Sequence, residues 1–134
     1  MAYPDTGITQ FPNGTTMADI ESYLKQLDIV YSRTLGRECG NFELPQNWYQ
    51  WMPTAHHDNP KIMVYIDKFL NLDVSEKVYH GTRVPRLLYI WGHSYEFDEK
   101  NNWDHIEKIC EKIAHNNEIW YATNIEIYDY VQAY

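Results

Sequence analysis

Between Arg86 and Gly92 the chain reads Arg-Leu-Leu-Tyr-Ile-Trp-Gly, an almost unbroken apolar run closed by a glycine. A strand with one wet face alternates apolar and polar residues. A strand apolar at successive positions suits a parallel sheet, where both faces are covered. Parallel strands need crossover connections, normally helices, so this segment predicts helical patterns around it. Upstream, Ile62, Ile66, Phe69 and Leu70 form the apolar face of a helix opening at Asp58-Asn59-Pro60, a cap followed by proline at the first helical position. Downstream, Ile106, Ile109, Cys110 and Ile113 make a stripe over about 103–115. Near the start, Ile20, Tyr23, Leu24 and Leu27 fall at i, i+3, i+4, i+7 over about 17–28, behind a Thr16/Asp19 capping box.

Three more stretches read as strands: 1–4, the β-branched and aromatic 29–34, and 119–122. Thr123 and Glu126 form a second capping box for a last helix ending at Tyr134. Residues 5–16, the segment carrying Trp48, Trp51, His56 and His57, and residues 73–85 read as loops. The expected class is therefore α/β, with four strand–helix units and parallel strands in one domain. A closed eight-unit barrel needs about 250 residues; 134 residues hold about half of one. Either the chain forms a small open sheet, or its open strand edge is covered by a second copy, as a homodimer, or by a preceding N-terminal half.

Composition narrows the partners. The formal net charge is −8, which argues against a nucleic-acid backbone or an anionic membrane, since either would repel the chain. No apolar run approaches the roughly 20 residues of a membrane span. Met-Ala-Tyr-Pro-Asp has no cationic-then-apolar character, so no export signal is visible. Cys39 and Cys110 lie far apart without CxxC spacing, and a reduced cytoplasmic chain is the expectation. Twelve Tyr and five Trp can fill a core or present flat faces to sugar rings.

Ligands of parallel sheets sit at the carboxyl ends of the strands. Those ends hold Pro4 and Asp5; Arg33 and Thr34; Gly92, His93, Ser94, Tyr95 and Glu96; and Thr123 with Asn124. His93 stands out, because it directly follows the buried strand and imidazole titrates near neutrality, as a general acid or base requires. Glu96 and Asp98 are placed to orient it, or to complement a helix dipole. His56-His57-Asp58 has metal-ligand residue types, but adjacent side chains diverge and Asp58 reads as a helix cap, so no metal ligand is assigned. There is no Gly-x-Ser-x-Gly, no phosphate loop and no structural zinc spacing.

The strings Leu-Leu-Tyr-Ile-Trp-Gly-His-Ser-Tyr-Glu-Phe (87–97) and Ile-Trp-Tyr-Ala-Thr-Asn-Ile-Glu-Ile (119–127) resemble the end of divergent bacterial polysaccharide deacetylases, which carry the NodB-homology domain. The opening Met-Ala-Tyr-Pro and Ile-Val-Tyr-Ser-Arg-Thr (29–34) resemble earlier parts of the same C-terminal half. The resemblance implies a distorted (β/α) barrel that hydrolyses N- or O-acetyl groups on carbohydrate with a divalent metal such as zinc. In that family the metal and base residues lie in Thr-Phe-Asp-Asp and His-x-x-x-His motifs, and neither is present in this sequence. The resemblance therefore implies no cofactor in this chain and no activity for it alone. The alternatives are a carbohydrate-binding or assembly module using Trp48, Trp51, Trp91 and Tyr95 as platforms, an enzyme completed by an N-terminal partner, or one that builds a new metal site across a dimer with His56, His57 and His93. By the same resemblance His93 matches the late histidine that protonates the leaving group, with Gly92 where the family has an aliphatic residue. Pro4 is what remains of an Arg-x-Pro-Tyr motif, and Arg33, Trp48, Trp51, Tyr95 and Glu96 line the substrate side.

Overall fold

The computed structural model describes residues 1–4, 13–34, 38–72, 78–79, 82–83 and 85–133. Two of its helices are set by their own termini. In α1 (Met17–Gln26) the Thr16 hydroxyl accepts from the Asp19 backbone N–H at 3.3 Å, and Asp19 accepts from the Thr16 N–H at 2.8 Å. In α5 (Asn124–Gln132) Thr123 and Glu126 make the same reciprocal pair. Each box satisfies two backbone donors that a helix start otherwise leaves orphaned.

The other helices have no side-chain cap at their amino ends. α2 (Ile62–Leu70) begins two residues beyond the proline, after Lys61. Asn59 holds the preceding turn, its side chain accepting from the Lys61 N–H at 2.8 Å. Asp58 is therefore not the cap that its sequence position suggested; its carboxylate is engaged by Lys100 instead. α3 (Tyr95–Lys100), which has no counterpart in the sequence reading, is anchored by buried Phe97 and ends at Asn101 in the left-handed conformation, which asparagine tolerates well. α4 (Trp103–Ile113) matches its apolar stripe at Ile106, Ile109 and Ile113, whereas Cys110 is exposed. Ile62 and Ile66 of α2 meet Ile109 of α4 and Ala55 in the core, flanked by Leu70, Leu88, Ile90, Ile106 and Ile113.

Four chain segments lie side by side in sequence order. Arg33 bridges Ala2 on one side and Trp51 on the other, both in parallel. β1 (Ala55–His56) continues the stretch from Trp51 and pairs in parallel with β4 (Ile90–Trp91), Ala55 opposite Ile90 and His56 opposite Trp91. The Thr54 N–H donates to the Tyr89 carbonyl at 2.8 Å and the His57 N–H to that of Trp91 at 2.8 Å, extending the contact beyond the named strands. Leu88 and Ile90 face the α2/α4 core, while Tyr89 packs on Trp51 at 4.9 Å between ring centroids. A short antiparallel pair, β2 (Val78–Tyr79) with β3 (Thr82–Arg83), lies within a stretch expected to be loop.

Two expectations are corrected here. The segment between 34 and 57 contains the third parallel strand, and between Arg33 and Trp51 its described residues hold only the 3₁₀ turn Trp48–Gln50, so strand and helix do not alternate strictly. Residues 119–122 carry no strand pairing among the described residues. The reason is local. Tyr121 turns its hydroxyl back onto the Ile113 carbonyl at 2.5 Å, and the segment closes a turn at the end of α4. What is established is a mixed helix-and-strand chain with a small parallel sheet. Asp5, residues 73–77 of the expected loop and Tyr134 are outside the described residues. No described helix is long and apolar enough to cross a membrane.

Candidate functional site

Strand β1 ends at His56 and the chain turns through His57 and Asp58. In an extended strand these two rings would point to opposite faces. The turn rotates the second ring back, and the two lie 4.3 Å apart between centroids at an interplanar angle of 34°. The expectation that they diverge is thus overturned, and the reason is that the strand stops between them.

Glu96, in the first turn of α3, is the point on which the imidazoles converge. Its Oε2 lies 2.5 Å from His57 Nε2 and 3.2 Å from His56 Nε2, and accepts the His93 backbone N–H at 3.4 Å. Its Oε1 lies 3.3 Å from His93 Nδ1. The sequence placed Glu96 beside His93 three residues away. It had no means of placing the 56–57 pair, 39 residues earlier, on the same carboxylate. These residues all stand at the carboxyl edge of the parallel pair β1–β4, where ligands of such sheets bind.

His57 is held on every side. It is only 2% exposed, stacks 4.4 Å from Phe97, and has its carbonyl oxygen 2.7 Å from His105 Nε2. Gly92 packs against its ring edge: a Cβ there would stand 2.7 Å from Nε2 and 3.1 Å from Cγ. Gly92 is thus needed for the close approach of backbone to imidazole. His57 Nδ1 faces Asp58 Oδ1 at 3.2 Å, yet the alignment is not that of a hydrogen bond, and this buried nitrogen has no hydrogen-bond partner. His56 is fixed by its backbone: its N–H donates to Glu38 at 2.6 Å, and its Nδ1 accepts the Asp58 N–H at 3.2 Å. Glu38, His105 and Lys100 were not singled out from sequence, because each reaches the site only through tertiary contact.

Burial pushes the His56 imidazole below its usual range, helped by the neighbouring His57 and His93 and opposed by Glu96 and Glu38. For Glu96 burial alone would raise the carboxyl. The hydrogen bonds from His57 and His93, the charge of His56 and the His93 N–H together outweigh it and hold Glu96 below the usual carboxylate range. Neutral imidazole beside ionised carboxylate is the state that metal ligands and general bases need. His56, His57, Asp58 and Glu96 each bring one ligand atom within 4.8 Å of the others, a donor set suited to a divalent ion.

Around this centre the remaining candidates divide. His93 is 46% exposed and its ring lies 5.2 Å from that of exposed Tyr95. The Arg33 guanidinium lies 4.6 Å from the centroid of the Trp91 ring, which in turn meets His56 edge-on at 4.5 Å, so Arg33 borders the site through an aromatic layer. Pro4 is exposed at the end of the first segment, two residues beyond the Ala2–Arg33 bridge. Trp51, however, is 1% exposed, enclosed by Tyr31, Trp48 and Tyr89. It offers no face to a sugar and is a core residue. Trp48 packs on Trp51 and on Tyr128 of α5 at 5.1 Å, so this pair joins α5 to the sheet and does not line the site. No protein-family profile, curated protein or solved structure matches the chain.

Proposed function

We propose that the chain is polysaccharide-deacetylase-like, half of a distorted (β/α) barrel of a kind that acts on acetylated carbohydrate and inactive alone, with His93 placed as the proton donor to the leaving amine or hydroxyl once the domain is completed. The observation that carries this reading is the position of His93. It follows β4 at the carboxyl edge of a parallel pair, it is exposed to a ligand, and its Nδ1 is within 3.3 Å of Glu96. A carboxylate at one ring nitrogen orients the imidazole and leaves the other nitrogen for the substrate. In such a reaction water adds to the acetyl carbon, the C–N or C–O bond breaks, and His93 gives its proton to the departing atom. A divalent ion, when bound, polarises the carbonyl in reactions of this class.

Tyr95 fits the substrate side, because its ring is 54% exposed beside His93. The carbohydrate module without catalysis loses its central platform in buried Trp51. Titration with acetylated chito- and xylo-oligosaccharides tests the reading. Saturable binding that weakens in Tyr95→Ala is expected, and a folded chain that binds neither sugar overturns it. Acetate released with added zinc or cobalt, and lost by about 10²–10⁴ in His93→Ala, means that this chain completes the site alone; binding without release means that it needs its N-terminal partner.

A further inference from the structure

We propose that His57 Nε2, Glu96 and His56 Nε2 bind one divalent transition-metal ion of the zinc type, with Asp58 as the residue that orients His57 and a coordination position left for water. The proposal concerns metal binding alone and does not depend on deacylation.

Donor chemistry comes first. Two imidazoles and a carboxylate are the three-ligand set of catalytic zinc, and they favour zinc, cobalt, nickel or ferrous iron over magnesium or calcium, which prefer oxygen throughout. The distances agree. Ligands at 2.0–2.1 Å from a tetrahedral ion stand about 3.3 Å from one another, and His56 Nε2 lies 3.2 Å from Glu96 Oε2. His57 Nε2, at 2.5 Å from the same oxygen, has to open by less than about 1 Å on that scale.

The strongest sign is the orphaned nitrogen. The buried His57 Nδ1 faces the Asp58 carboxylate at 3.2 Å without a hydrogen bond, and in the tautomer that directs the proton from Nε2 to Glu96 these are two facing acceptors. An ion at Nε2 resolves this. With the lone pair of Nε2 on the metal the proton would reside on Nδ1, and a small turn of the Asp58 carboxylate, 3.2 Å away but out of hydrogen-bond alignment, would let it accept from Nδ1–H. That is the carboxylate–histidine–metal arrangement in which an outer carboxylate fixes tautomer and ring orientation. Lys100, paired with Asp58, balances the second carboxylate so that it serves as acceptor and not as a ligand. His56 has to change more. Its Nδ1 accepts the Asp58 N–H, so binding at Nε2 would move the ring proton to Nδ1, and the ring would give up that backbone bond and turn Nδ1–H away from the Asp58 N–H. Phe97 and Gly92 already hold the His57 ring in place and His105 engages the His57 carbonyl, so little ordering remains for the ion to impose. Both cysteines lie outside the cluster, so the site carries no thiolate.

The test uses the full chain, stripped with chelator and titrated with zinc by calorimetry, with bound metal counted by mass spectrometry. One ion per chain is expected. Glu96→Gln and His57→Gln should each weaken binding by at least about 100-fold, and Asp58→Asn by about 10–100-fold. His115→Ala, at an exposed position after α4, should leave affinity unchanged. Variants are checked for fold by circular dichroism, and if one unfolds, cobalt substitution of the wild type decides. Visible bands of four- or five-coordinate cobalt without a thiolate charge-transfer band are expected, whereas absent or six-coordinate bands count against the site. No zinc bound, or zinc bound equally by Glu96→Gln and His57→Gln, overturns the proposal. Zinc bound by a chain that neither binds nor deacylates the sugars leaves this proposal standing and sinks only the carbohydrate reading.

Discussion

The helices fall into two kinds. α1 and α5 carry reciprocal capping boxes, Thr16/Asp19 and Thr123/Glu126, and their starts agree with sequence to the residue. α2, α3 and α4 have no side-chain cap, and they are the ones that build the site: α2 follows the His56–Asp58 turn, α3 carries Glu96, and α4 supplies His105. The capped pair lies at the periphery, with no fully buried residue in α5 and only Leu24 in α1. The uncapped set is fixed by packing, through Ile62 and Ile66 in α2, Phe97 in α3 and Ile109 in α4. Local chemistry starts the outer helices, while the inner ones hold their positions only against each other. The Asp58 carboxylate, free of capping duty, is consequently available to the site.

The comparison can be broken most decisively at Ile66, which is fully buried. Ile66→Ala should destabilise the chain by about 2–5 kcal/mol in urea unfolding; a loss below about 1 kcal/mol would mean that packing is not what holds α2. Next is Gly92→Ala, whose added carbon meets the His57 ring. A loss of about 1–3 kcal/mol is expected from the overpacking, together with weakened zinc binding, and a variant indistinguishable from wild type in both would show that the ring is free to move. Thr123→Ala sharpens the other side. Removing that cap should lower stability by about 1 kcal/mol, with α5 fraying first in amide hydrogen exchange. Asp58→Asn should change stability by less than about 1 kcal/mol, as its Lys100 partner is half-exposed, and should leave helix content unaltered, because Asp58 does not cap α2.

The smallest effect is one of pH. Asp19 and Glu126 are held below the usual carboxylate range, by the Thr16 hydroxyl and N–H and by the Thr123 hydroxyl and N–H respectively. Their folded pKa values lie below the unfolded ones, so their contribution is present above about pH 4 and is lost as pH falls through the folded values. Glu126→Gln should therefore differ from wild type at neutral pH and converge with it in acid. Persistence of the full difference in acid would show that the carboxylate charge is not what stabilises the cap.

Sequence by itself determined the capped helices, the apolar stripe of α2 and most of that of α4, a parallel strand within 86–92, formed at Ile90–Trp91, and the placement of His93 and Glu96 at its carboxyl end. Each of these is written within a few residues, as a periodicity or a capping pair. The third strand was hidden because Trp51–His56 lacks a β-branched run and pairs through isolated contacts at Arg33, Tyr89 and Trp91. Residues 119–122 misled because Ile-Trp-Tyr-Ala is apolar enough for a strand but folds back on α4 through Tyr121. Only the tertiary structure decided that Trp51 is core, that His56 and His57 converge, and that both meet Glu96. The physical reason is separation along the chain: residues 39 positions apart are brought to within 2.5 Å by the pairing of β1 with β4 and the packing of Phe97 on His57, and neither contact leaves a local trace in the sequence.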